Sequence, residues 1–234
     1  MMINSESIQA AASRIKGKIN RTPLTFDSKL NIYIKWENQQ ETGAFKIRGA
    51  LNKILALAPW EQERGLVAVS AGNHGLGVAY AAKLVGAKAT VFIPEKTAKN
   101  KEESILHNGA VVHKIAGDYS QAEIEAQNYA FKRGATWVSP YNDAQVIAGQ
   151  ATLGLELIDQ IKPYDSGACL VPVSGGALVS GIGLAFKVNG LKTRIIGIQS
   201  KNSAYFHSLY HYGTIKNVVE SKSVADGLTG GVEK

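Results

Sequence analysis

The stretch "GLVAVSAGNHGLGVAYAAKLVGAKATVFIP" (residues 65–94) contains both kinds of element from which the rest of the chain is built. A short apolar run leads into a glycine-containing loop, which is typical of a buried strand. Helical spacing then covers residues 75–85, and "KATVFIP" (88–94) is a second apolar strand. A strand, a helix and a strand in this order predict a parallel β-α-β unit.

The same alternation continues on both sides of this unit. The patterns predict further strands at 32–37, 110–115, 136–140, 168–173 and 194–200, and helices at 44–58, 97–108, 119–133, 145–161 and 178–188. Such alternation indicates an α/β fold with parallel sheets flanked by helices on both faces. In sheets of this kind ligands bind beyond the carboxyl ends of the strands, so the loops there are the candidate sites.

The composition of the 234 residues, 45% hydrophobic and 19% charged, is that of an ordinary globular protein. No apolar run reaches membrane-spanning length, and the first 20 residues resemble an amphipathic helix rather than a targeting signal. The single cysteine, Cys169, fits a reducing compartment, so we expect a cytoplasmic protein. The net charge of +7 is scattered and no nucleic-acid motif is present, so we expect neither a nucleic-acid nor a membrane partner.

One candidate loop is "VPVSGGALVSG" (residues 171–181), where an apolar strand runs through two glycines into a helix. Glycines let backbone N–H groups approach an anion, and a helix N-terminus adds free donors and partial positive charge. The loop is therefore a candidate phosphate cradle, although the Walker pattern is absent. A plain strand-to-helix turn would use glycines in the same way.

A second candidate loop lies in "SAGNHGLGVAYAA" (residues 70–82), again between a strand and a helix. Ser70, Asn73 and His74 place hydroxyl, amide and imidazole groups beside backbone donors, a combination that suits a carboxylate or a phenolic oxygen. As an alternative, His74 serves only as a structural hydrogen-bonding residue.

The same stretch partly matches a dinucleotide fingerprint. Gly75 and Gly77 have the spacing of its first two glycines, and Glu95 follows about 20 residues on. Tyr80 occupies the position of the third glycine, which weakens this interpretation. A dinucleotide-binding oxidoreductase is therefore a minor alternative.

The third candidate lies in "ETGAFKIRGALNKILALAP" (residues 41–59), which places Lys46 on the first turn of a predicted helix that Pro59 would end. A lysine on a helix is usually solvated. Here the same sheet also offers a phosphate cradle and a polar loop. A lysine amine among such groups can bond to an aldehyde cofactor if desolvation lowers its pKa.

Patterns for other chemistries are weak. His207 and His211 stand four apart in "HSLYH", the spacing of one helical face, but no adjacent carboxylate completes a metal site and the pattern does not predict a helix there. No GxSxG motif is present, so a serine hydrolase is not indicated.

The three loops, in this order, resemble those of the pyridoxal-phosphate-dependent threonine dehydratase and serine racemase family, which has the tryptophan-synthase-β-like fold (fold type II). The resemblance runs from "RTPL" (21–24) to "ADGL" (225–228). It implies two open twisted parallel sheets flanked by helices. It also implies a large cofactor-binding domain, residues 1–64 and 143–234, and a small domain, residues 65–142.

The resemblance also assigns roles to residues. Lys46 matches the lysine that bonds to pyridoxal 5'-phosphate, Phe45 the residue beside its ring, and Asn73 the group that binds its phenolic oxygen. The phosphate-binding loop corresponds to Ser174, Gly175, Gly176, Ala177 and Leu178. The loop for the substrate carboxylate corresponds to Ser70, Ala71, Gly72, Asn73 and His74. The implied activity is the deaminating dehydration of L-threonine or L-serine to a 2-oxo acid and ammonia, by a homo-oligomer, commonly a dimer.

Some positions depart from the family pattern. Ala71 stands where racemases carry a second serine that acts as an acid–base group, so racemisation is disfavoured. Gln199 and Tyr205 replace a glutamate and an aspartate of metal-dependent members, so no metal site is expected. Ala44 replaces the more common serine before Phe45.

The length is the largest departure. Family members continue past "ADGL" with a segment that closes the large domain and places a side chain beside the pyridine nitrogen. We therefore expect a truncated chain whose large domain is incomplete at the C-terminus. Two interpretations stay open: a dehydratase-like enzyme, or a non-catalytic remnant with weak or no cofactor binding.

Overall fold

The computed structural model describes residues 3–161 and 167–229. The strands are β1 Leu24–Asp27, β2 Ile32–Lys35, β3 Leu66–Val69, β4 Ala89–Pro94, β5 Val111–Ile115, β6 Thr136–Trp137, β7 Ala168–Pro172 and β8 Arg194–Ile198. The helices are α1 Ser5–Ile15, α2 Lys46–Leu55, α3 Pro59–Glu63, α4 Asn73–Val85, α5 Lys99–His107, α6 Tyr119–Arg133, α7 Ala144–Ile161, α8 Ala177–Val188 and α9 Tyr205–Tyr212.

The main sheet has four parallel strands in the order β5-β4-β3-β6. Strand β3 is fully buried, because helices cover both of its faces. From β3 the chain moves outward to β4 and β5, and then returns to place β6 on the other side of β3. The strand order therefore reverses between β3 and β6. In open α/β sheets the crevice beyond the carboxyl ends of two such strands is the usual ligand site.

Two smaller sheets complete the architecture. Strands β7 and β8 pair in parallel, whereas β1 and β2 form an antiparallel hairpin with Leu24 opposite Lys35. The predicted α/β class with parallel sheets is confirmed. Strand β1 and its hairpin were not predicted. The four residues of β1 are partly or fully exposed, so they lack the apolar run that marks a buried strand.

Helix α2 covers Lys46–Leu55 and is shorter than the predicted helix 44–58. Pro59 does not end this helix but begins the next one, α3. Proline suits the first position of α3, where its missing N–H would have no partner in any case. The Glu61 carboxylate accepts a hydrogen bond from the Ala58 N–H at 2.8 Å and caps this short helix.

Helix α2 lies at the centre of the molecule, between α4 on one side and α7 on the other. Its side chains Ile47, Leu51 and Ile54 are completely buried. The contact with α7 is close, because a side chain at Gly149 would collide with the backbone of Arg48. Since α2 packs on helices from both predicted domains, the division at residues 64 and 143 stays a prediction.

Across the described ranges, no helix combines the length and the apolar character that crossing a bilayer requires.

Candidate active site

Lys46 is the first residue of α2, and its side chain is half-buried. Its Nζ atom donates a hydrogen bond to the carbonyl oxygen of Pro140 at 2.8 Å. Desolvation of the ammonium lowers the pKa of Lys46 to about 8. At pH 7 about one such amine in ten is uncharged, compared with less than one in a thousand for a freely solvated lysine. This amine therefore differs from an ordinary surface lysine.

Helix α4 fixes the start of α2. Gly77 faces the backbone of Lys46 and Ile47, and a Cβ atom at Gly77 would lie 3.3 Å from the Ile47 nitrogen. The absence of a side chain at Gly77 lets the N-terminal half of α4 lie close to the first turn of α2. The polar loop before α4 and Lys46 are therefore neighbours.

His74 is buried on the first turn of α4. Its Nε2 atom lies 2.9 Å from the carbonyl oxygen of Val138, so this nitrogen carries the proton and donates. Its Nδ1 atom is buried and has no hydrogen-bond partner in the described part of the chain. Desolvation and the positive charge of Lys46 lower the pKa of His74 to about 3, although the Val138 bond acts in the opposite direction. The imidazole is therefore neutral, with a free lone pair.

The rest of the polar loop presents donors to an anion. The Ser70 hydroxyl accepts a hydrogen bond from the Gly72 N–H at 3.0 Å and shapes the turn. Asn73 is exposed and begins α4, and no side chain caps this helix at Gly72. Uncapped N–H groups at a helix start bind anions well. Ala71 lies half-buried in the same turn.

The glycine loop after β7 has the geometry of an anion cradle. Gly176 adopts a left-handed conformation with φ of +89°, and α8 begins at Ala177 without a side-chain cap. Ala177 and Leu178 are buried in the first turn. The Ser174 hydroxyl donates to the carbonyl oxygen of Thr229 at 3.2 Å, which ties the cradle to the last described residues.

Two aromatic rings support the cradle from outside. A Cβ atom at Gly175 would collide with the ring of Tyr141, and one at Gly176 would lie 2.6 Å from the ring of Phe206. Both positions therefore require glycine for steric reasons in addition to any need for backbone donors.

The segment 138–141 connects these parts of the site. It follows β6 and reaches His74 through the Val138 carbonyl, Lys46 through the Pro140 carbonyl and Gly175 through the Tyr141 ring. Lys46, the polar loop and the cradle thus meet at the reversal between β3 and β6. The sequence pattern assigns residues 136–140 to a strand, whereas β6 ends at Trp137, so the role of this segment in the site was not predicted.

Phe45 precedes Lys46 and lies beside it, with the Nζ atom 5.5 Å from the centre of the phenyl ring. The ring packs against the apolar cluster that includes Leu178 and Ile182 of α8. Phe45 therefore occupies the space between the lysine and the helix of the cradle.

A buried ionic network anchors α2 two residues beyond Lys46. Arg48 is wholly buried and donates hydrogen bonds to Glu37 at 2.7 Å and to Glu156 at 2.6 Å. Lys35 donates to Glu156 at 2.6 Å and to the Thr22 carbonyl at 2.7 Å. Burial lowers the pKa of Lys35, and the Glu156 carboxylate opposes that change. Two cations and two carboxylates therefore join the hairpin, α2 and α7.

The glycines of the partial dinucleotide fingerprint serve helix packing. A Cβ atom at Gly75 would collide with the carbonyl oxygen of Ser70, and Gly77 faces α2. This packing accounts for both glycines without a dinucleotide, so the geometry does not favour the oxidoreductase alternative.

The two replaced metal positions have other partners. The Gln199 Oε1 atom accepts a hydrogen bond from the His207 N–H at 2.9 Å. Burial and the nearby Glu220 raise the pKa of Tyr205. Among the described residues no group of three or more histidine, cysteine, aspartate or glutamate side chains is arranged to hold a metal ion.

The chain is similar to several known proteins over nearly its whole length. The chain is 39% identical to an L-threonine ammonia-lyase of Thermotoga maritima over 97% of its own length and 58% of that protein. It is 38% identical to a catabolic L-threonine dehydratase of Staphylococcus aureus, over 97% of the chain and 67% of that protein. The structure superimposes on maize serine racemase with a TM-score of 0.93 and 31% identity, covering all of this chain and 72% of that one.

The family model for pyridoxal-phosphate-dependent enzymes matches residues 15–234, which include both loops and the lysine. The site thus combines a desolvated lysine with two candidate anion-binding loops, one after β3 of the main sheet and one after β7 of the separate β7-β8 sheet. The chain belongs to the family of pyridoxal-phosphate-dependent enzymes.

Proposed function

We propose that this protein is a lyase that converts L-threonine or L-serine to a 2-oxo acid and ammonia with the help of pyridoxal phosphate. The observation that carries the proposal is the position of Lys46. Its amine is desolvated, has a pKa of about 8 and lies where the cradle and the polar loop meet. The chain covers 58–72% of the length of the relatives described above. The activity of those longer proteins is therefore only a proposal for this chain.

The residues present fit the cofactor. The uncapped start of α8 and the glycines at 175 and 176 offer N–H donors to a phosphate. Lys46 offers an amine to an aldehyde, and Asn73 an amide to a phenolic oxygen. The lone pair of His74 Nδ1 is a buried acceptor that still lacks a donor. When bound, pyridoxal phosphate supplies an electron sink that acidifies the hydrogen on the substrate's Cα atom.

Lys46 is the proposed base for that Cα hydrogen. A general base works best when its pKa lies near the working pH, and desolvation brings the Lys46 amine from about 10.5 to about 8. Because His74 stays neutral, it adds no second positive charge beside this amine. The Pro140 carbonyl holds the Nζ atom in a defined place before the reaction.

The loop of residues 70–74 would hold the substrate carboxylate and so fix the direction of the Cα–H bond. Ala71 in this loop favours elimination over racemisation. Racemisation needs a second group that moves a proton on the opposite side of Cα, and a methyl group cannot do so. This residue is the reason for preferring the dehydratase reaction, although one similar structure is a serine racemase.

The test begins with cofactor binding. Purified chain is mixed with pyridoxal phosphate, reduced with borohydride and digested, and the modified peptide is identified by mass spectrometry. We expect the label on Lys46 and its loss in Lys46→Ala. Lys53→Ala, on the same helix, is the matched control and should keep the label.

The second step is the reaction itself. With L-threonine we expect 2-oxobutyrate and ammonia in equal amounts, and with D-threonine no product. A chain that takes the label but releases no 2-oxo acid would contradict the proposed activity. A chain that takes no label at saturating cofactor would favour the alternative of a non-catalytic remnant.

Further proposals rest on the family resemblance. We propose a cytoplasmic homo-oligomer, and a large unit formed by residues 1–64 and 143–234 that carries the cofactor. Light scattering of the purified protein tests the oligomer, and a monomer at micromolar concentration would argue against it.

A further inference from the structure

Helix α9 carries two histidines that the proposed reaction does not use. His207 and His211 stand four residues apart, and the structure shows that the segment is helical. Both side chains are exposed, and the centres of their rings lie 4.4 Å apart. The two imidazoles therefore project from one face of the helix and lie side by side.

This arrangement suits a particular class of ligand. Two histidines at i and i+4 on a helix bind one metal ion together, as the two histidines of the HExxH zinc motif do. Neutral imidazole prefers borderline cations such as Zn²⁺, Ni²⁺ and Cu²⁺, whereas Mg²⁺ and Ca²⁺ prefer oxygen ligands. Because both rings are exposed, water can fill the remaining coordination positions without any movement of the fold.

We propose that His207 and His211 form a two-histidine binding site for a single borderline divalent cation of the Zn²⁺ and Cu²⁺ class. The two histidines are different residues from positions 199 and 205 but border them, because the Gln199 side chain accepts the His207 N–H and Tyr205 begins the same helix. Among the described residues no third metal-binding side chain joins the pair. The metal affinity is therefore lower than that of a closed four-ligand site. Among divalent cations, Cu²⁺ should bind this site more tightly than Zn²⁺ or Ni²⁺.

The site has a structural connection to the cradle. Phe206, next to His207 on α9, is the residue whose ring lies over Gly176. The His207 N–H is held by the Gln199 side chain, which follows β8. A helix of eight residues is marginal by itself, so a cation that links its first and last turns stabilises it. The bound metal thereby stabilises the element that supports the cradle.

Calorimetric titration of the full chain at pH 7.5 with Cu²⁺, Zn²⁺ and Mg²⁺ tests the site. We expect one Cu²⁺ per chain, weaker Zn²⁺ and no Mg²⁺. His207→Asn and His211→Asn should each weaken Cu²⁺ binding at least tenfold. His107→Asn is the matched control, because His107 is also an exposed histidine at the end of a helix, and it should bind Cu²⁺ as the unchanged chain does.

Moving the second histidine along the helix tests whether Cu²⁺ binding depends on the spacing of the pair. In a His211→Asn background, Tyr210→His restores an i, i+3 pair on the same face, whereas Tyr212→His places the ring at i+5, off that face. We expect Cu²⁺ binding to return in the first double variant and not in the second. Circular dichroism checks that each variant is folded, which the exposure of these side chains makes the expected result.

Several results would overturn the inference. One is that His211→Asn leaves Cu²⁺ binding unchanged. Another is that His107→Asn weakens Cu²⁺ binding as much as His211→Asn does, which would indicate unspecific binding to surface histidines. Recovery of binding in both double variants would show that helical spacing is irrelevant. The connection to the cradle predicts that Zn²⁺ raises the thermal melting temperature of the chain and not that of His211→Asn. No shift in either protein would contradict that part.

Discussion

The Nζ atom of Lys46 and the carbonyl oxygen of Pro140 are 2.8 Å apart, although 94 positions separate the two residues in the chain. One begins a helix that packs between two others, and the other follows the edge strand at the reversal of the main sheet. This hydrogen bond places the amine in a site that desolvates it. The chemistry proposed for Lys46 depends on that relationship.

The lowered pKa of Lys46 predicts an unusual pH profile for its reactivity. Only the uncharged amine reacts with formaldehyde, so reductive methylation of Lys46 should rise with pH and reach half its maximum near pH 8. A freely solvated lysine, with a pKa near 10.4, is still far from its maximum at that pH. Mass spectrometry of each peptide measures the profile, with exposed Lys83 as the comparison. Parallel profiles at the two positions would refute the prediction.

The pKa of His74, lowered to about 3, makes stability depend on pH. The folded state holds this imidazole neutral, whereas the unfolded chain takes up a proton below about pH 6.5. The contribution of His74 is therefore complete above pH 6.5 and is lost as the pH falls toward 3, at no more than about 1.4 kcal/mol per pH unit.

His74→Asn tests this dependence, because the amide keeps a donor for the Val138 carbonyl but does not titrate. Urea unfolding between pH 7 and pH 4.5 should show a smaller loss of stability in His74→Asn than in the unchanged chain. His107→Asn, at an exposed position, should leave the pH dependence unchanged. Equal slopes in all three proteins would show that His74 is not held neutral.

The network around Arg48 should be essential for folding. Arg48→Met leaves the Glu37 and Glu156 carboxylates without their main buried partner, and breaking such a network costs about 3–5 kcal/mol. Arg48→Lys should recover little, because a lysine cannot form the paired hydrogen bonds that the guanidinium makes.

Urea unfolding measures both changes, with Arg133→Met as the control. Arg133 is exposed and stacks on Tyr129, so its loss should change the free energy of unfolding by less than about 0.5–1 kcal/mol. A loss below about 1 kcal/mol for Arg48→Met would mean that the network does not anchor α2.

Gly176, just before α8, and Gly183, within α8, should respond in opposite ways to alanine. Gly176→Ala forces an alanine into a left-handed conformation and against the ring of Phe206, so it should destabilise the protein by at least about 1–2 kcal/mol. Gly183→Ala lies inside α8 with open space around its Cβ position and should stabilise it by about 0.5–1 kcal/mol.

Thermal unfolding compares these two variants, and inorganic phosphate adds a second measurement. We expect phosphate to raise the melting temperatures of the unchanged chain and of Gly183→Ala equally, and to raise that of Gly176→Ala less. Equal phosphate effects in the two variants would argue against an anion site at the cradle.

Much of the architecture could be predicted because apolar periodicity is a local property of the sequence. The unit at residues 65–94 shows both apolar strand runs and helical spacing clearly, and the structure has its two strands and its helix in the predicted places. Prediction failed where the local signal was weak. Strand β1 is partly exposed, and Pro59 is as suitable for the first turn of a helix as for the end of one. Helix α9 has eight residues, too few for a clear period.

The candidate site also has parts that the sequence predicted and parts that it did not. The cradle at 174–178, the loop at 70–74 and Lys46 were identified from the sequence, because glycines, polar residues and a lysine at the starts of predicted helices are visible there. Their assigned roles toward the cofactor stay predictions. The segment 138–141 was missed, since neither a carbonyl oxygen nor a ring lying on a glycine has a signature in the sequence.

The sequence by itself therefore determined the order of strands and helices, the loops between them and the chemical groups those loops carry. Only the tertiary structure decided that Lys46 has a lowered pKa, that His74 is neutral and that both share one segment after β6. The physical reason is that desolvation and hydrogen bonding depend on atoms from distant parts of the chain, and the fold alone brings those atoms together.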